Sequence, residues 1–193
     1  STPIKSSAAS DVYKRQRMDR DVEIVRLRNL REQLLGIPDL FWRQLGRETE
    51  EEVDSVTAAP VSNYAEAEHT VTVVLNPSCP DCARICDVIG KLKGVRIDLI
   101  FLVDDGDRKA YDVALRLISS GITSEWGETF RLLATWYGRG RVPATPIHPL
   151  AGNDLSAQLN YCRRIRIVRT PTILVDNRRL PAVYDAEDLK ILL

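Results

Sequence analysis

The stretch that decides the reading is His69-Thr-Val-Thr-Val-Val-Leu75, followed by Asn76-Pro77-Ser78 and then Cys79-Pro80-Asp81-Cys82. Its first seven residues alternate and then become continuously apolar, as a central strand does. Asn-Pro-Ser is a turn. A helical pattern follows through Ala83, Ile85, Cys86, Ile89 and Leu92, with Gly94 beyond its end. Lys91 and Lys93 suit the negative end of that helix. Residues 95–103 are rich in Val, Ile, Leu and Phe and read as a second strand, buried on both faces. Strand, helix, strand implies a right-handed parallel crossover.

A C-x-x-C set directly after a strand and at a helix start has a chemical rationale. Free backbone N–H groups and the positive helix end stabilise a thiolate on the first cysteine. The second, one turn later, lies close enough to close a disulfide. Cys79 is therefore the expected attacking sulfur and Cys82 the less exposed resolving one. Attack on a substrate disulfide would give a mixed disulfide through Cys79, which Cys82 then cleaves; the reverse sequence oxidises a substrate dithiol. Pro80 is at home in the first turn of a helix. The Asp81 carboxylate is expected to oppose the thiolate by raising the Cys79 pKa.

Working outward, Asp107 can cap a helix over residues 108–120, with Gly121 beyond its end. A second helix is expected over 124–137, anchored by Phe130, Leu133, Trp136 and Tyr137 and ended by Gly138 and Gly140. Pro143, Pro146 and Pro149 mark a loop, and Asp154 starts a third helix. The chain then returns to strand at Thr172-Ile-Leu-Val175, turns at Asp176-Asn177 and continues as Arg178-Arg-Leu180. Asp-Asn suits the positive φ angles of a tight hairpin. Asp185 caps a last short helix. Upstream, Val22, Val25, Leu27, Leu30, Leu34 and Leu35 suggest an amphipathic helix over 20–35, stopped by Gly36 and Pro38. Residues 47–67 read as a charged linker. The run from Ser6 to Gln16 resembles translated sequencing-adapter sequence, so residues 1–16 are expected to be a disordered, non-native tail. It carries no apolar stretch of the kind a signal peptide needs. The expected organisation is thus a tail over 1–16, a helical segment over 17–46, a linker over 47–67 and one domain over 68–193.

The 193 residues carry 27 basic and 27 acidic side chains, so net charge is zero. That balance argues against a nucleic-acid partner recruited through bulk charge. The longest apolar run, 99–103, is far too short to span a bilayer. No nucleophile-elbow serine and no Gly-rich phosphate loop is present. A zinc site would need Cys79 and Cys82 with Cys86 or Cys162 and His69 or His148. Against it, there is no second C-x-x-C and no close His pair, and Cys79, Cys82 and Cys86 simply share one helix face. Cys86 and Cys162 read as small buried hydrophobes. Trp126 and Trp136 read as core or groove-rim residues, although both suit a binding interface. The alternatives to an enzyme are therefore a peptide- or protein-binding module without turnover, or a zinc-binding domain.

Two distant motifs, Asn76-Pro-Ser-Cys-Pro-Asp-Cys-Ala83 and Arg169-Thr-Pro-Thr-Ile-Leu-Val175, together resemble the thioredoxin-like superfamily over about residues 68–193. The resemblance implies an α/β thioredoxin-like fold with a helical insertion, about 107–165, between the second strand and the strand after a cis-proline. It implies that Pro171 is cis and faces the dithiol, and that Thr170 offers backbone hydrogen bonds to a substrate strand. Pro80 and Asp81 would flank that substrate. No organic cofactor or metal is implied, because the dithiol carries the electrons. The closing Thr170-Pro-Thr-Ile-Leu-Val-Asp-Asn-Arg-Arg-Leu-Pro181 run also resembles the C-terminal domains of bacterial membrane proteins of the vitamin K epoxide reductase family. Those couple a quinone-linked membrane unit to disulfide formation, which implies an extracytoplasmic, membrane-tethered parent protein. Pro80-Asp81 differs from the Gly-Pro of thioredoxins and the X-His of strong periplasmic oxidants, so the motif leaves the direction of electron flow open.

Overall fold

A computed structural model of the chain describes residues 4–193, which fall into two units, one up to Trp42 and one from Arg43 to Leu193. The first is dominated by α1 (Ile4–Leu35). Residues 4–16, expected to be disordered, are helical, while residues 1–3 lie outside the described residues. No Gly or Pro occurs between Ile4 and Gly36, so nothing interrupts propagation of the helix. The expected amphipathic stripe is absent. At about 100° per residue, Val22, Val25, Leu27, Leu30 and Leu34 spread around the cylinder, and all are exposed. Gly36 and Ile37 separate α1 from α2 (Pro38–Leu45), in which Phe41 and Trp42 meet edge to face at 4.9 Å.

The second unit is built on a five-stranded sheet in the order β1-β3-β2-β4-β5: β1 (Val61–Ser62), β2 (Thr70–Leu75), β3 (Arg96–Phe101), β4 (Thr172–Val175) and β5 (Arg178–Arg179). β2 is central. It runs parallel to β3, with Val73 opposite Leu99 and Leu75 opposite Phe101, and antiparallel to β4, with Val73 opposite Ile173. Nearly every residue of β2 and β3 is buried, as their largely apolar sequences require, with Thr72 and Asp98 the buried polar positions. Asp176 and Asn177 take φ of 48° and 65° in the hairpin turn between β4 and β5.

α3 (Pro80–Ile89) makes the crossover from β2 to β3. The insertion supplies α4 (Arg108–Thr123), α5 (Trp126–Arg139) and α6 (Ala151–Arg164). α6 lies against one sheet face, where Tyr161, Cys162 and Ile165 join Val74, Ile100 and Leu174. The buried Gln158 ties the layers together: its Oε1 accepts from Phe101 N at 2.8 Å and its Nε2 donates to the Ala59 carbonyl at 2.9 Å. A 3-10 turn, capped by Asp185, leads into α7 (Leu189–Leu192).

Three boundaries differ from the sequence reading. Residues 47–67 are not a linker. They form a 3-10 turn at Ser55–Ala58 and the edge strand β1, and Ser55 Oγ donates to the buried Asp98 at 2.9 Å. Their folding depends on partners more than thirty residues away, so local composition does not reveal it. Gly121 does not end α4 but lies inside it. A Cβ there would come within 3.0 Å of the Val61 side chain, so glycine lets the helix approach β1. α6 begins at Ala151, one turn before Asp154, once the Pro149–Leu150 turn is complete.

Candidate active site

Cys79 is the N-cap residue of α3, with extended backbone (φ −90°, ψ 116°), and Pro80 occupies the first helical position. β2 ends at Leu75, so four residues bridge strand to helix and bring the first turn of α3 to the end of the central strand. The Thr170–Pro171 peptide is cis, and the Cys79 thiol donates to the Thr170 carbonyl at 3.3 Å. Positions 79 and 170, ninety-one residues apart, are thus brought together. Thr170 and Pro171 are both partly exposed, and Val168 before them is almost fully exposed.

The two thiols of the pair ionise differently. Partial burial pushes the Cys79 pKa up, but the Cys82 thiol, Thr170 and the backbone N–H groups of Cys82 and Asp81 outweigh it, and the net shift is down. Cys82 is fully buried, and burial pushes its thiol up to about 12. The accessible sulfur is thus the more readily ionised of the two, and at neutral pH the enclosed one keeps its proton. The Cys79 shift is downward despite the neighbouring Asp81 carboxylate. That exposed carboxylate pairs with Arg84 at 3.6 Å, and Asp81 serves Cys79 through its backbone N–H.

Cys86 and Cys162 are buried, and desolvation pushes each up to about 12. All four cysteines carry free thiols. Among the described residues no three His, Cys, Asp or Glu side chains gather as metal ligands. His69 sits at the start of β2 against Asp176, 2.7 Å away, and the His148 ring accepts from Leu150 N.

No family model matches the chain, and no curated protein matches it. Solved structures do. Proteus mirabilis ScsC in a transitional conformation is 14% identical with a TM-score of 0.59, covering 95% of this chain and 94% of that one. Oxidised BdbD from Bacillus subtilis is 13% identical with a TM-score of 0.57, covering 74% of this chain and 94% of that one. Pseudomonas aeruginosa DsbA2 is 14% identical with a TM-score of 0.52, covering 62% and 84%. The fold is thioredoxin-like. The crossover β2–α3–β3, the antiparallel β4–β5 hairpin and the helices inserted between β3 and β4 are its parts in this chain.

Within this thioredoxin-like frame, what sequence reasoning did not find is the set of contacts that holds the turn before Cys79. The Asn76 carbonyl accepts from Cys79 N at 2.9 Å and from the Tyr137 hydroxyl at 2.7 Å. Trp136 Nε1 donates to the Pro77 carbonyl at 2.9 Å. The Ser78 hydroxyl donates to Asp107. A signal did exist in Trp136-Tyr137. Two successive aromatics with polar tips, at the end of a helix that is otherwise packed, each need a hydrogen-bond partner.

Proposed function

We propose that the chain is a thiol–disulfide oxidoreductase acting on protein or peptide substrates through Cys79 and Cys82. The observation that carries this reading is the half-exposed Cys79 sulfur, at the head of α3 and 3.3 Å from the Thr170 carbonyl, with its pKa drawn down while that of Cys82 is driven up. The Cys79 thiolate attacks one sulfur of a substrate disulfide. That S–S bond breaks, the distal substrate sulfur leaves as thiolate, and a Cys79–substrate disulfide forms. Cys82 loses its proton and attacks Cys79 Sγ. The second substrate sulfur leaves, and the Cys79–Cys82 disulfide retains the two oxidising equivalents. Run backwards, the same steps oxidise a substrate dithiol. The partly exposed backbone around Thr170 suits a substrate strand laid against it, and the exposed Pro80 and Asp81 are the residues proposed to flank that strand.

A quinone-linked membrane unit as electron partner, and an extracytoplasmic location, follow from the sequence resemblance of the closing hairpin. No helix among the described residues is long and apolar enough to cross a membrane. The exchange chemistry is inferred from the dithiol itself. Equilibration in glutathione buffers from about −100 to −350 mV tests the reading. A reversible Cys79–Cys82 disulfide with a single midpoint in that range is expected. A dithiol that stays reduced throughout would leave a binding module instead.

A further inference from the structure

The three residues before Cys79 are each held by a different side chain of the helical insertion. Tyr137 donates to the Asn76 carbonyl, Trp136 to the Pro77 carbonyl, and Ser78 donates to Asp107. Each of these anchors is itself fixed. Asp107 is the N-cap of α4, accepting from Ala110 N at 3.0 Å. The Lys109 ammonium lies 5.3 Å from the centre of the Trp136 ring. Ser120 of α4 and Thr129 of α5 share a buried hydrogen bond of 2.7 Å. α5 packs closely on α3 itself: at Gly90, just past the end of α3, a Cβ would meet the Phe130 ring at 2.8 Å.

We propose that α4 and α5 form a clamp that sets the reactivity of the dithiol, with Tyr137 as its principal positioning residue. The contact at its centre is a single atom. The Asn76 carbonyl oxygen receives both the Tyr137 O–H and the Cys79 N–H, so the hydroxyl fixes the peptide from which Cys79 hangs. Asn76 Oδ1 also accepts from Ser78 N at 2.9 Å, which makes the turn rigid on both sides. Cys79 has no side-chain cap of its own. Its sulfur keeps the N–H groups of Asp81 and Cys82 only while its backbone is held in place. The hydroxyl also compensates a carbonyl dipole whose negative end lies beside the thiols. Burial and the neighbouring sulfurs of Cys82, Cys86 and Cys79 raise the Tyr137 pKa, so it remains a neutral donor.

This inference rests on the proposed exchange at Cys79 and Cys82, and its test separates the two. In the full chain, Tyr137→Phe keeps the ring and removes only the donor; Trp136→Phe removes the second donor. Tyr161→Phe removes a buried hydroxyl that has no hydrogen-bond partner, on a helix packed against the sheet, and serves as the control for merely structural effects. Two readouts are taken: the Cys79 thiolate titration, by rate of alkylation against pH, and the dithiol equilibrium with glutathione. Tyr137→Phe is expected to raise the Cys79 titration midpoint. Because a less stable thiolate disfavours the reduced form, the glutathione equilibrium moves toward the disulfide by about three- to tenfold, the range one hydrogen bond supports. Trp136→Phe moves both readouts the same way, and Tyr161→Phe moves neither. Unchanged readouts in both Tyr137→Phe and Trp136→Phe, or shifts matched by Tyr161→Phe, would overturn the clamp. If the wild-type chain forms no disulfide, the proposed function fails, yet the titration still decides whether the clamp acts on Cys79.

Discussion

Cys79 and Cys82 are three residues apart, yet their thiols are driven in opposite directions, and this asymmetry comes from a single helical turn. The first cysteine stands outside the helix with its sulfur toward backbone N–H groups; the second lies inside the first turn and under the protein. A pH prediction follows with a definite sign. Alkylation of the native protein by iodoacetamide should occur at Cys79, with a rate that rises through a midpoint below the ordinary thiol value and is flat above it. Cys82, Cys86 and Cys162, each raised to about 12 and buried, should stay unmodified over the same range. Peptide mapping after brief labelling at a series of pH values checks this, and a midpoint above that of free cysteine would contradict it. At this scale the sequence was informative about the pair, because strand, turn and helix start are all local signals. It did not reveal the exposed pairing of Asp81 with Arg84, and it said nothing of the Tyr137 hydroxyl on Asn76, a pairing across sixty-one residues.

Strands β2 to β4 and helices α3 to α5 were legible from periodicity and capping residues, and β5 from the Asp176-Asn177 turn that leads into it. β1 was not. Two residues are too few for a pattern, and Val61-Ser62 becomes a strand only because β3 offers a free edge. The segment around it is held by groups whose partners lie elsewhere, Ser55 on Asp98 and the Ala59 carbonyl on Gln158. Gln158 is the strongest single tie of this kind. Replacing it with alanine strands the Phe101 N–H and the Ala59 carbonyl inside the protein, which costs about 2–4 kcal/mol. Urea denaturation of Gln158→Ala should show a midpoint lowered accordingly with an unchanged slope. A variant as stable as wild type would mean that water replaces the amide and that this segment is only loosely attached. Because the bonds of Gln158 go to Phe101 and Ala59 and none reaches the Cys79 turn, exchange by the surviving folded protein should persist.

At the scale of the molecule, a sheet with β2 at its centre delivers the dithiol to one end, the β4 hairpin delivers Thr170 and Pro171 to the same end, and the inserted helices close around the turn between them. The fold class was readable because two motifs ninety residues apart agree with one topology, each supplying half of a single juxtaposition. The exposed α1 marks the limit of such reading. Its apolar residues are spread around the helix, so no pattern in them points to a buried face. The measurement that bears most directly on the whole account is capture of a disulfide-bonded peptide or denatured protein by the Cys82→Ser variant, with the linked residue identified by mass spectrometry. The predicted result is a stable mixed disulfide through Cys79, absent in the Cys79→Ser variant. Failure to capture any substrate, or capture through Cys86 or Cys162, would contradict it.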